Sequence, residues 1–124
     1  VIQMTTVLII DDSSFQRTII RKTLKNEGFV CIEANNGRVG LHLIEEERPD
    51  IIIVDLLMPD MDGTEFLTAI REKEIAIPVI VLTSDIQDAT RENCIRLGAS
   101  SFLNKPARAD ELIPAIRLLL HPGE

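Results

Sequence analysis

Positive charge is scarce in this 124-residue chain: 13 lysines and arginines face 20 aspartates and glutamates, giving a net charge of −7 and a pI near 4.8. A protein that grips nucleic acid directly needs a basic footprint, so no nucleic-acid contact is expected. Cysteine is sparse too. Cys31 and Cys94 lie too far apart in sequence to form a metal or redox motif, and read as small core residues of a reduced, cytoplasmic protein. No apolar run approaches the roughly 20 residues of a membrane-spanning helix, and the first ten residues lack the charged start of a signal peptide. No membrane partner is expected. Neither G-x-G-x-x-G nor G-x-x-x-x-G-K-S/T occurs, which disfavours a nucleotide-binding module. With no repeat, low-complexity tract or linker, residues 1–124 read as one domain, long enough for a real core. The chain opens on Val1 with Met4 close behind. Residues 1–4 are therefore read either as a leftover of expression before the native start or as the loose start of an excised domain.

What the chain does have is a stretch of nine residues, Ile51-Ile52-Ile53-Val54-Asp55-Leu56-Leu57-Met58-Pro59. An apolar run with no polar alternation predicts a strand covered on both faces, as in a parallel sheet. Around it, strand and helix signals alternate. Strands are expected at Thr6–Ile10, 29–33, Ile51–Val54, 79–82 and 101–103. Helices are expected at Ser14–Asn26, from Gly37 to about 47, from Asp62 onward, at 88–97 and at 108–120. Gly28 and Gly98 end two of these helices, Arg48-Pro49 ends another, and Gly40 is tolerated within one at a cost in propensity. Ser13-Ser14-Phe15-Gln16 and Asp62-Gly63-Thr64-Glu65 have capping-box spacing, and Pro114 should bend the last helix slightly. Strict alternation with short connections predicts an α/β three-layer sandwich with right-handed crossovers.

The residues that follow the strands carry the chemistry. Asp11-Asp12 follow the first, Asp55 the third, Thr83-Ser84 the fourth and Lys105-Pro106 the fifth. In a parallel sheet these share one edge, the edge at which open α/β sheets bind ligands. Each has a plainer reading alone. Asp11, Asp12 and Thr83-Ser84 could cap helices, Asp55 could open a turn, and Lys105 could be a solvated surface residue. Together they place three carboxylates in one small volume, where repulsion raises at least one pKa unless a cation offsets it. Oxygen ligands open to water suit Mg²⁺ (or Mn²⁺) better than Ca²⁺. A carboxylate nucleophile, a divalent ion, a lysine and a hydroxyl are the parts an acyl-phosphate site requires.

The motifs VLIIDDSS, IIIVDLLMPDMDG, PVIVLTS and GASSFLNKPA, in this order and spacing, resemble the receiver domain of two-component response regulators over about residues 5–120. The start DDSSFQR leans toward the chemotaxis-type single-domain receiver. The resemblance implies a flavodoxin-like fold with a doubly wound five-stranded parallel sheet, order 2-1-3-4-5. It implies that Asp55 is the phosphoacceptor, served by a histidine kinase or histidine phosphotransfer protein. Asp11, Asp12, Asp55 and the Leu57 backbone carbonyl would hold Mg²⁺. Lys105 would contact the phosphoryl group, and its bond to Pro106 would be cis. Thr83 and Phe102 would be the switch pair, Thr83 moving toward the phosphoryl oxygens and Phe102 rotating inward. The output surface would be the fourth helix, fifth strand and last helix, acting on a downstream protein. Ser14, Phe15, Pro106 and Ala107 would flank the crevice. The resemblance further implies a monomer or a phosphorylation-dependent dimer, and no enzymatic activity beyond the domain's own phosphorylation and dephosphorylation. Ser100-Ser101 replace acidic residues common in receiver dimers, and Leu57 and Asp85 stand where side chains tune water's access.

Two other classes compete. A phosphohydrolase of the haloacid-dehalogenase type also forms an aspartyl phosphate, but it wants a second Asp where this chain has Leu57. A phosphorylation-independent receiver-like interaction domain would keep the fold without the chemistry, yet every residue of the chemistry is present.

Overall fold

A computed structural model describes residues 4–123, so the reading of residues 1–4 as a remnant or loose start falls, for residues 1–3, outside the described residues. The chain runs β1 (Thr6–Ile10), α1 (Ser14–Asn26), β2 (Val30–Ala34), α2 (Gly37–Glu47), β3 (Ile51–Val54), α3 (Gly63–Glu72), β4 (Val79–Thr83), α4 (Asp88–Arg96), β5 (Ser101–Asn104) and α5 (Ala109–Leu120). The strands form one parallel sheet in the order β2-β1-β3-β4-β5. This is the flavodoxin-like order expected of the family resemblance.

Alternating side chains explain the three layers. Leu8, Ile10, Ile52, Val54, Val79 and Val81 face one way, onto Ile44 of α2, Phe66, Leu67 and Ile70 of α3 and Cys94 of α4. Val7, Ile9, Ile51, Ile53, Ile80 and Leu82 face the other way, onto Ile20 and Leu24 of α1 and Leu112, Ile113 and Ile116 of α5. All four residues of β3 are at most 1% exposed. Each such side chain contributes about 1.5–3 kcal/mol by burial, which is why the central strand tolerates no polar alternation. Cys94 is buried as expected, whereas Cys31 on the outer strand β2 is only half-buried.

Local details correct some of the expected boundaries. Phe29 does not join β2, because its N–H is spent on the Leu24 carbonyl (3.1 Å) in closing α1. At α1 the Ser13 hydroxyl accepts from Gln16 N–H (3.2 Å), but Ser13 N–H donates to Asp11 (2.9 Å), so only half of the expected capping box forms. At α3 both halves form between Asp62 and Glu65. Thr83-Ser84 cap nothing: α4 begins after Gln87 with no side-chain cap. Helix α5 continues through Pro114. Gly40 has a packing role as well as a propensity cost, since a Cβ there would come within 2.5 Å of Ile10 Cδ1. Gly63 is stricter: a Cβ would stand 2.8 Å from the Asp55 carbonyl oxygen and from Leu56 Cα, atoms that cannot rotate away.

Candidate functional site

Strand register builds the site. Ile10 pairs with Val54, so the next residues, Asp11 and Asp55, leave the sheet side by side. Asp55 N–H still donates to the Ile10 carbonyl (3.0 Å) and Asp11 N–H to the Ala34 carbonyl (3.1 Å), extending the sheet ladder by one bond on each side. Thr83 pairs with Asn104, and Lys105 N–H donates to the Thr83 carbonyl (2.8 Å). Four strand ends thus converge. The Lys105–Pro106 peptide is cis, as the resemblance implied.

Within this crevice Asp11, Asp55 and Thr83 are buried polar residues, and Asp12 is exposed. Lys105 Nζ donates to Asp11 Oδ2 at 2.9 Å and lies 3.3 Å from Asp55 Oδ2. Asp11 does not cap α1, the duty its plainer reading assigned; Ser13 is the cap, and Asp11 Oδ1 accepts from Ser13 N–H. One oxygen shapes the loop while the other faces the lysine. Burial pushes the Asp55 carboxyl above the usual carboxylate range; Lys105 opposes that push, Asp11 adds to it, and the Leu57 N–H opposes it more weakly. Burial also works against the Lys105 charge. The hydrogen bond to Asp11 and the charges of Asp55 and Asp11 together outweigh it, so the ammonium is held above its ordinary value.

Asp11, Asp12 and Asp55 each offer one carboxylate oxygen within 4.8 Å of the others. In an octahedron with bonds of about 2.1 Å, neighbouring oxygens stand about 3.0 Å apart and opposite ones about 4.2 Å apart. The cluster is therefore of the right size, and its oxygen-only chemistry suits a hard divalent ion. The Leu57 side chain, 71% exposed, points away from the core.

The expected switch residues are also placed. Thr83 is fully buried at the end of β4, and its hydroxyl accepts from Asp85 N–H (3.2 Å). Phe102 is 7% exposed and already packs with Val81 and Cys94, so its ring is buried without any rotation. Ser14 and Phe15 are exposed, Phe15 at 70%, so that ring is no part of the core. Pro106 is exposed and Ala107 half-buried.

Asp85 was expected only to tune water's access, and the contacts it makes, like those of Asn104 and Arg17, escaped the sequence reading. Asp85 anchors the loop after β4 by accepting from Gln87 N–H and the Thr90 hydroxyl, both at 2.9 Å. Asn104 ties β5 to that loop by donating to the Asp85 carbonyl (2.9 Å). Arg17 donates to the Asp11 carbonyl (2.6 Å). Its signal was available: helical side chains lean toward the N-terminus, so a long cation one turn into α1 reaches back over the acidic pair.

Comparison with known proteins agrees with this geometry. Residues 7–117 match the family model for the response regulator receiver domain, and the chain belongs to that family. Within it, this is a receiver domain of the CheY type, a signalling domain rather than a conventional enzyme. The chemotaxis protein CheY of Listeria monocytogenes is 37% identical over 114 residues, covering 91% of this chain and 96% of that one. The solved structure of chemotaxis protein CheY4 of Vibrio cholerae superposes with a TM-score of 0.88 at 31% identity, covering 95% of this chain and all of that one. The protein-glutamate methylesterase/protein-glutamine glutaminase of Treponema pallidum is 41% identical over 104 residues. That match covers 81% of this chain but only 26% of the methylesterase's own length. Receiver domains bind Mg²⁺ at an acidic pocket of this kind, and they work with histidine kinases and downstream targets. No described helix is long and apolar enough to cross a membrane.

Proposed function

We propose that this chain is a phosphorylation-activated receiver that takes a phosphoryl group from a histidine kinase or histidine phosphotransfer protein onto Asp55, in a Mg²⁺-dependent reaction. The observation that carries this reading is the placement of Lys105 Nζ 3.3 Å from Asp55 Oδ2, beside the cluster of Asp11, Asp12 and Asp55. An Asp55 oxygen attacks phosphorus in line; the new O–P bond forms as the donor's N–P bond breaks, and the departing imidazole nitrogen is protonated. Lys105 swings from the carboxylates to a phosphoryl oxygen and offsets its charge. Asp11, Asp12, Asp55 and the Leu57 carbonyl would hold Mg²⁺, which would supply further neutralisation of those oxygens. The Thr83 hydroxyl, now accepting from Asp85 N–H, donates a hydrogen bond to another phosphoryl oxygen.

That new bond is available only in the phosphorylated state, so it biases one arrangement of the loop after β4 over another. The output surface is α4-β5-α5, which carries Phe102 on β5. The net acidity of the chain directs that surface toward a protein rather than nucleic acid. The domain's only catalysis is its own phosphorylation and dephosphorylation.

Intact-mass measurement after incubation with acetyl phosphate or phosphoramidate tests the reading. An adduct of one phosphoryl group is expected for the wild type with Mg²⁺, and none without Mg²⁺ or in Asp55→Asn. No adduct, together with beryllofluoride leaving Phe102 and α5 unperturbed, would establish a phosphate-independent interaction domain instead.

A further inference from the structure

Asp12 is the one member of the acidic cluster whose carboxylate meets no protein donor among the described residues. Asp11 is held at every polar atom: its N–H by Ala34, Oδ1 by Ser13, Oδ2 by Lys105 and its carbonyl by Arg17. The last of these matters for Asp12. A peptide unit is planar and turns as a body, so fixing the Asp11 carbonyl fixes the direction in which the chain enters Asp12.

Arg17 is itself fixed. Its side chain is 16% exposed, its Nε donates to Glu33 Oε1 (3.1 Å) while Nη1 reaches Asp11, and the other Glu33 oxygen is taken by Arg21. Glu33 lies on β2 in register with Ile9, two residues before Asp11. A rigid, planar guanidinium can hold two acceptors at set angles, which a flexible ammonium cannot. The target of Arg17 is a carbonyl and not a carboxylate, so it orients the acidic pair without neutralising it or occupying an oxygen that a cation would use.

We propose that Arg17, anchored by Glu33, is a positioning residue that sets the aim of Asp12 in the cation site. The inference rests on reading the acidic pocket as a Mg²⁺ site. Groups that orient metal ligands from behind typically contribute about 10–100-fold in metal affinity. A mere brace between α1 and β2 would add stability and leave affinity unchanged.

The experiment is calorimetric titration of the unphosphorylated protein with Mg²⁺, repeated with Mn²⁺ by electron paramagnetic resonance, with circular dichroism to confirm folding. Arg17→Ala is expected to weaken binding about tenfold or more, within the range for such supporting groups. Arg17→Lys, able to reach Asp11 or Glu33 but not to span both, should recover part of the loss. Glu33→Gln should fall between the wild type and Arg17→Ala. Wild-type affinity in all three variants, even with lowered thermal midpoints, overturns the inference and leaves a brace. If Arg17→Ala does not fold, the Lys and Gln variants carry the decision by the same criterion. A wild type that binds neither ion overturns the reading of the pocket as well.

Discussion

The two ends of the sheet differ in a way that bears on how function is found in a fold. At the carboxyl end, Asp11, Asp55 and Thr83 are buried around Lys105. At the amino end, a hollow of about 560 Å³ opens between Met4, Phe29, Pro114, Leu118 and His121. The hollow is roomy, yet its charged members Glu27 and Arg117 pair at 2.9 Å with side chains 44% and 58% exposed. Polar groups there lose little by meeting water. At the carboxyl end they are held out of water at a cost in stability, and only chemistry gives a reason to retain them. Volume is the poorer guide; costly burial is the better one.

That contrast can be broken most sharply at Lys105. Lys105→Met leaves two buried carboxylates without their cation, and the loss should be about 3–5 kcal/mol at neutral pH without divalent ions. Urea unfolding would show it, and Mg²⁺ or mild acid should restore part of it. An unchanged midpoint would mean that the ion pair is not a stability element. Burial opposes the Lys105 charge but the carboxylates hold its proton, so its contribution persists below the ordinary lysine range. On the alkaline side it is lost as Lys105 deprotonates through its raised value.

A smaller effect, of opposite sign, is expected at Asp55. Because burial raises its folded pKa, its proton leaves the unfolded chain at lower pH than the folded one. Native protein then binds more protons, and stability falls as pH rises from the ordinary carboxylate range through the raised value. Asp55→Asn removes that penalty. The variant should be more stable by on the order of 1 kcal/mol in metal-free buffer at pH 7, the scale of a single substitution. The gap should close as pH drops; a gap that widens in acid would contradict the assignment. The smallest effect belongs to the amino end, where Arg117→Ala should shift stability by no more than about 0.5 kcal/mol. A loss as large as that of Lys105→Met would erase the distinction between the two ends.

Much of this architecture is legible in the sequence itself. The unbroken apolar run of β3 announced a two-sided strand, and strand-end residues such as Asp55 and Lys105 announced a shared edge. Gly28 and Gly98 marked helix ends and indeed have φ of 88° and 109°. What stayed hidden depended on contacts between distant segments. Gly40 shows only a propensity cost until Ile10 is seen beneath it. Gln16 has the spacing to complete a capping box, but the Asp11 carboxylate competes for the same Ser13 N–H and holds it. Asn104 looks like a surface polar residue until β4 and β5 bring it to the Asp85 carbonyl. The inward ring of Phe102 likewise follows from the strand's pleat, which fixes its face, and not from its neighbours in sequence.

The close approach of Gly63 to the end of β3 has a further consequence. Gly63 N–H donates to the Leu56 carbonyl at 2.9 Å, so residues 57–62 leave the sheet and return to nearly the same point. Topologically they are a closed side loop whose mouth is tied by one bond and whose length the sheet does not sense. Doubling such a loop costs only about 0.6 kcal/mol in closure entropy. Around its exposed residues Pro59 and Asp60 the loop can therefore change in length at little cost, presenting new surfaces beside Asp55 while that carboxylate keeps its place.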